Sequence, residues 1–263
     1  MEPGTSTSVH RRVSAVAIEL VIVTAGFFTY RWCRLFTRDE NRQAMSNARR
    51  VIDFERALGI FGEQTVQQWA LGSRVVVDVL NRYYVSVHFP ITIVFLVWVY
   101  FRHFAAYSFI RTWFALVTLA ALAIHVGFPL APPRMSGGFV DTLQEFGPRV
   151  YAADPRRSVA NQFAAMPSLH FGWALMLASG VIAIKRAGRS TIVLLHPLLT
   201  LFAIVATGNH YWLDAIAAGL LAATFAVVML GWRFLRTGQL RPVQSFAATQ
   251  HERIELDGVP SGA

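Results

Sequence analysis

The chain has 263 residues, 54% of them hydrophobic and 15% charged, with a formal net charge of +9. A charge content well under the roughly 25% of soluble domains, together with long apolar runs, excludes an ordinary soluble enzyme and implies an integral membrane protein. The positive charge lies in loops flanking apolar runs, where topology and anionic lipid account for it without a nucleic-acid partner. The single cysteine, Cys33, excludes an intramolecular disulfide and a cysteine metal cage.

Residues 1–12 form a polar tail that ends in His10-Arg11-Arg12. The apolar run 13–31 is predicted to be a retained first span, because Arg31-Trp32-Cys33-Arg34 follows where a cleavage site would need small residues. In 40–73, Ile52, Leu58, Ile60, Phe61, Val66 and Trp69 are spread among Arg, Gln and Glu. That pattern predicts amphipathic helices lying at the interface. Further spans are predicted near 75–101, 110–130, 164–184, 191–207 and 212–235, which makes about six in all. The stretch 131–162, rich in Pro and Gly, reads as a structured outer loop, and 237–263 as a polar tail. The expected fold is an all-α, polytopic membrane helical bundle with its embedded catalytic domain at 13–236 and no internal repeat.

Lys and Arg near span ends predict a topology with both termini cytoplasmic. The inner face then receives Arg11, Arg12, Arg102, Arg111, Lys185, Arg186, Arg189, Arg233, Arg236 and Arg241. The exception is the segment holding Arg31, Arg34, Arg38, Arg42, Arg49, Arg50 and Arg56, which faces outside as a collar for anionic headgroups. On this topology Arg134, His170 and His210 all fall at the outer face of a plasma-type inner membrane.

Three polar runs carry the chemistry. His210 and Asp214 stand at i, i+4, which brings them to one helical face. A carboxylate bonded to one imidazole nitrogen fixes the tautomer and frees the other nitrogen as nucleophile or base; the competing reading is a core histidine beside a helix-capping aspartate. In Pro167-Ser168-Leu169-His170, Ser168 is a plausible N-cap whose neighbouring N–H groups can hold phosphate, and His170 in the first turn can protonate a leaving oxygen. In Ala131-Pro132-Pro133-Arg134, prolines end a span and Arg134 offers a planar fork to a phosphate, unless it merely snorkels to the interface. A further cluster, Asp78, Arg82, Tyr84 and His88, lies within or beside the second span. It reads as helix-to-helix hydrogen bonding or, for His88 and Tyr84, as the wall of a headgroup pocket.

Arg134, Ser168-Leu169-His170 and His210-Tyr211-x-x-Asp214 resemble the three signature motifs of the type 2 phosphatidic acid phosphatase (PAP2) superfamily. The Met166-Pro167-Ser168-Leu169-His170 and Ala131-Pro132-Pro133-Arg134 forms look like the branch that contains inositol phosphoceramide synthases and related inositolphosphotransferase-like bacterial proteins. The resemblance implies a lipid phosphatase or phosphotransferase acting on a lipid phosphate or phosphodiester. His210 would attack phosphorus to give a phosphohistidine, Asp214 would orient it, and His170 would protonate the leaving alkoxide. Arg134, Ser168 and backbone N–H groups would hold the equatorial oxygens, with no metal or cofactor required.

Two family cations are absent: Gly127 stands seven positions before Arg134 where Lys is usual, and Ile204 six before His210 where Arg is usual. Arg149, Arg156, Arg157, Asn209 and Thr207 are candidates to replace them. The loss favours a phosphodiester over a dianionic monoester. The rival function is a transporter or proton relay, for which repeats or paired broken helices at the midplane are the expected signature.

Overall fold

The computed structural model describes residues 41–148, 161–185 and 188–238. The predicted first span, Cys33, the arginines at 31, 34 and 38, and the candidates Arg149, Arg156 and Arg157 lie outside them. The described chain is all-helical apart from one isolated bridge between Leu130 and Ala164. Its helices are α1 (Asn41–Ala57), α2 (Glu63–Leu71), α3 (Arg74–Ser86), α4 (His88–Arg102), α5 (Phe104–Gly127), α6 (Thr142–Glu145), α7 (Leu169–Lys185), α8 (Leu195–Ala206) and α9 (Trp212–Thr237). Short 3₁₀ helices cover Pro133–Met135 and Gly188–Leu194.

Among the described residues, three helical segments are long and apolar enough to cross a membrane: α5, α9, and the continuous Gly188–Ala206 that includes α8. These make the protein a membrane protein. The span expected near 75–101 is broken: α3 and α4 meet at 44°. Pro90 is the cause, since it has no N–H for the Ser86 carbonyl and its ring crowds that turn. The break leaves His88 at the head of α4. The span expected near 164–184 is the 17-residue α7, about 25 Å long at 1.5 Å per residue and so shorter than a hydrocarbon core of about 30 Å.

α7 is the hub and packs on α4, α5, α8 and α9. Its half of the bundle is an apolar core of Phe95, Val99, Ile110, Trp113, Phe114, Val117, Met176, Leu177, Ile184 and Ala222. Gly180 lets α7 approach α4: a Cβ there would sit 2.8 Å from Phe95 Cζ. On α4 and α9, Val94, Val97, Phe101, Leu220, Val227, Val228 and Leu235 stay exposed, as faces turned to lipid do.

The segment 40–73 forms the amphipathic helices α1 and α2, and Leu58, Ile60 and Trp69 of its apolar set are exposed. The inner face of α1 is Ala44, Asn47, Ala48, Val51 and Glu55. It is covered by protein, packing with Leu130, Ala131, Phe163, Ala165 and Tyr211. Asn47 Nδ2 donates to the Pro129 carbonyl (2.9 Å) and Ala131 N–H to the Ala44 carbonyl (3.2 Å). Small residues such as Ala44 and Ala48 let helix and loop approach closely on this face. Arg42, Arg49, Arg50 and Arg56 remain exposed on the opposite side.

Candidate active site

The three motifs meet where α5 ends, α7 begins and α8 turns into α9, and backbone hydrogen bonds tie them together. Arg134 N–H donates to the Gly208 carbonyl (2.8 Å), Ser168 N–H to the Asp214 carbonyl (3.0 Å), and Leu130 N–H to the Phe163 carbonyl (2.8 Å). Gly208 has φ +68°, and a Cβ there would lie 2.7 Å from Gln67 Nε2. The turn before His210 therefore needs glycine for its left-handed backbone and for space.

His210 is buried in that turn. Its Nδ1 lies 2.9 Å from the Ala165 carbonyl and 3.2 Å from Asp214 Oδ2. Both partners are acceptors, so Nδ1 carries the hydrogen and Nε2 keeps its lone pair. Asp214 Oδ2 also accepts from Tyr211 N–H (2.9 Å), which fixes the carboxylate. Burial holds the imidazole down to about 3; the Ala165 hydrogen bond opposes that shift and the Arg134 charge adds to it. His210 is thus a neutral ring with one free, nucleophilic nitrogen.

His170 occupies the first turn of α7. Its ring centroid is 6.1 Å from that of His210, so the two rings flank one small volume. It stacks on Tyr84 of α3 at 4.2 Å and lies 4.6 Å from His88 of α4. Trp173 also stacks on His88, at 5.6 Å. Ser168 caps α7 as its position suggested, with Oγ accepting from Phe171 N–H (3.4 Å). Its own N–H is committed to Asp214, so that group is not available to a phosphate.

Arg134 is buried in the 3₁₀ turn. Nη1 donates to Asn209 Oδ1 (3.0 Å), and Nε pairs with Asp141 Oδ2 (3.4 Å). Asn209 is held in turn by Thr207, whose Oγ1 accepts from Nδ2 (2.7 Å). Asn209 and Thr207 therefore support Arg134. Neither family cation has a stand-in at its own position: Gly127 is the last residue of α5, and Ile204 is fully buried in a cluster with Tyr84, Leu143 and Val205. Among the described residues no three His, Cys, Asp or Glu side chains form a metal-binding group.

Of the predicted residues, His210, Asp214, His170, Ser168, Arg134, Asn209 and His88 come together, and Tyr84 joins them. Asp78 is half-buried and Arg82 exposed; besides Tyr84, α3 contributes the buried Asn81. Asn81 donates to the carbonyls of Thr142 and Gly147 (both 2.9 Å) and accepts from Thr142 Oγ1 (2.9 Å). Gln67 of α2 clamps Val140, accepting its N–H (2.8 Å) and donating to its carbonyl (3.0 Å). His125, at the end of α5, bonds the Pro167 carbonyl through Nε2 (3.1 Å). Sequence reading missed these residues, Asp141, and the buried pair Glu55 and Glu63. The one available signal was spacing: Glu55 continues the Ala44, Ala48, Val51 stripe at i+4.

A family model described as PAP2 superfamily matches residues 49–229, more than half the chain. No curated protein and no solved structure matches the chain.

Proposed function

The chain belongs to the PAP2 superfamily, whose membership points to a phosphoesterase-type enzyme in a membrane, and on that premise we propose that it transfers the phosphoryl group of a lipid phosphate ester through a phosphohistidine on His210. The observation that carries the reading is the His210 tautomer: Nδ1 is occupied by Ala165 and Asp214, leaving Nε2 as the free nucleophile. Nε2 attacks phosphorus and the P–O bond to the leaving group breaks. His170 gives its proton to the departing alkoxide, its ring held in place by the Tyr84 ring stacked on it. The neutralised His170 then takes a proton from water or an acceptor alcohol, which attacks phosphorus and frees His210. Arg134 stabilises charge on the equatorial oxygens.

The charge balance supports a lipid phosphodiester as donor, used at least as well as phosphatidic acid. Two family cations are replaced by Gly127 and Ile204, and Arg134 is already paired with Asp141. A dianionic monoester loses more from this than a monoanionic diester does. The inositolphosphotransferase-like branch fits that preference.

The distribution of charge supports a sidedness for the site. The site lies at the ends of α5 and α8 and the starts of α7 and α9, while Arg102, His103 and Lys185 gather at the other end, where Lys185 lies 5.4 Å from the Trp98 ring. This supports an extracytoplasmic site by the positive-inside rule. We include in the reading about six spans and an outer site that opens between lipid and water.

Paired assays of phosphatidylinositol and phosphatidic acid in one detergent, with wild type and His210→Ala, test the reading. Turnover is expected for wild type alone. Full activity of His210→Ala overturns the mechanism. A monoester preference above about a hundredfold, some 2.7 kcal/mol in transition-state binding, overturns the diester assignment and leaves a lipid phosphatase.

A further inference from the structure

Two glutamates that the mechanism does not use are completely buried behind the catalytic turn. Glu55 lies near the end of α1 and Glu63 opens α2; both are at 0% exposure. Each accepts a hydrogen bond from a main-chain N–H of the first turn of α9. Glu63 Oε1 takes Trp212 N–H (3.1 Å) and Glu55 Oε1 takes Leu213 N–H (2.7 Å). Those residues lie directly between His210 and Asp214. The first N–H groups of a helix have no partner inside it, and the helix dipole favours negative charge there. A buried carboxylate serves both needs, but two adjacent ones repel.

Hydrogen-bond geometry shows how the pair is accommodated. Glu63 is fully committed as an acceptor, because Oε2 takes the Gly62 N–H (3.0 Å). Glu55 Oε2 receives no hydrogen bond among the described residues, although it is buried. Of the four carboxyl oxygens, Glu55 Oε2 is the one with no N–H to accept, and so the one free to hold a proton.

We propose that Glu55 and Glu63 form a one-proton carboxyl–carboxylate pair that positions the first turn of α9, and through it Asp214 and His210. The proposal rests on His210 and Asp214 being the reacting pair. It explains why α1 and α2 pack where they do, since they hold the catalytic turn from behind. The groups facing Glu55 are Glu63 from α2, Asp214 from α9 and Tyr211 from the turn before α9. Burial and the neighbouring carboxyl groups of Glu63 and Asp214 push Glu55 up from 4.5 to about 9, against the pull of the Leu213 N–H. The raised value means that the folded protein keeps a proton that the unfolded chain releases. Stability from this group is full below about 4.5, declines as pH rises and reaches its floor above about 9.

The two glutamines therefore differ in consequence. Glu55→Gln copies the protonated acid: its carbonyl accepts from Leu213 and its amide takes the place of the protonated oxygen. Glu63→Gln turns an N–H toward a backbone donor and breaks one of two acceptor contacts. The test uses the full chain purified in detergent, with kcat and KM measured from pH 6 to 10 on whichever of the two lipids above turns over faster, and thermal unfolding followed over the same range. Wild type is expected to lose activity and melting temperature as pH approaches 9. Glu55→Gln should stay within about twofold of wild-type kcat at pH 7 and lose much less than wild type at pH 9.5 in both readouts. Glu63→Gln should lose at least tenfold in kcat with KM changed less than about threefold. Identical pH profiles and melting slopes for wild type and Glu55→Gln overturn the pair, as does a Glu63→Gln enzyme with wild-type kcat. The melting comparison needs no turnover and decides the proton's place even if neither lipid is a substrate. An active His210→Ala control would instead defeat the mechanism on which the pair depends.

Discussion

The two ends of this bundle are held together by different forces. At the site end, side chains reach main-chain groups far away in sequence: Glu55 to Leu213, Glu63 to Trp212, Gln67 to Val140, Asn81 to Thr142 and Gly147, Asn47 to Pro129. At the other end Phe95, Trp113, Phe114, Val117 and Met176 interdigitate, and directional bonds such as Trp113 Nε1 to the Ala222 carbonyl (2.8 Å) are few beside that packing. Packing in lipid tolerates small shifts at modest cost, because lipid chains are as apolar as the side chains they replace. A hydrogen bond is directional and weakens steeply when its angle is lost. The polar end therefore sets geometry for chemistry, and the apolar end holds the helices together.

Substitutions should separate the two. The largest effect is expected at Asp214→Asn, which keeps shape but weakens the hold on the His210 tautomer. We expect turnover to fall by about 10³–10⁴-fold with the melting temperature within a few degrees of wild type, as kcat and a thermal melt of the same sample would show. Phe114→Ala at the other end should do the reverse: a stability loss of about 3 kcal/mol with kcat per folded molecule unchanged, read from denaturant unfolding beside active-site titration. If Phe114→Ala slows chemistry as much as it destabilises, the division of labour is wrong.

Gly208→Ala sharpens the contrast, because it touches the polar end without removing a polar group. The left-handed φ and the Gln67 contact at 2.7 Å predict a strain of about 1–2 kcal/mol and roughly tenfold slower turnover. Wild-type kinetics for this variant would mean that the turn has slack. The smallest effect belongs to the basic rim: Lys185→Ala, which loses a contact with the Trp98 ring, should cost under about 1 kcal/mol in a thermal melt and leave kcat alone. The same rim tests topology. With Cys33 replaced, a cysteine at Gly137, where a Cβ meets nothing within 4 Å, should react with an impermeant thiol reagent in spheroplasts and one at Gly188 should not; the reverse pattern would place the site on the cytoplasmic side.

What could be read from sequence divides along the same line. Apolar runs announced α5, α8 and α9 because hydropathy is local, and Pro90 was visible although the bend it causes was not drawn from it. His210, Asp214, His170 and Arg134 were legible because each is a polar residue at the end of an apolar run. The supporting set was not. Asn81 lies 61 residues from Thr142 and Glu55 158 residues from Leu213, and nothing in either segment names its partner. Glu55 and Glu63 looked like surface charges of an amphipathic segment, since a buried carboxylate is recognised only by the N–H groups it meets. Asp141 lay in the loop already singled out, but its pairing with Arg134 depends on how the 3₁₀ turn folds back.

The central claim is that phosphate passes through the free nitrogen of His210. The most direct measurement is to mix purified enzyme with ³²P-labelled lipid phosphate, quench rapidly, and test protein-bound label for stability in acid and alkali. Wild type should carry label that survives alkali and is lost in acid, as a phosphoramidate does, and His210→Ala should carry none. Label of equal amount on His210→Ala, or label lost in alkali and stable in acid, would contradict the account.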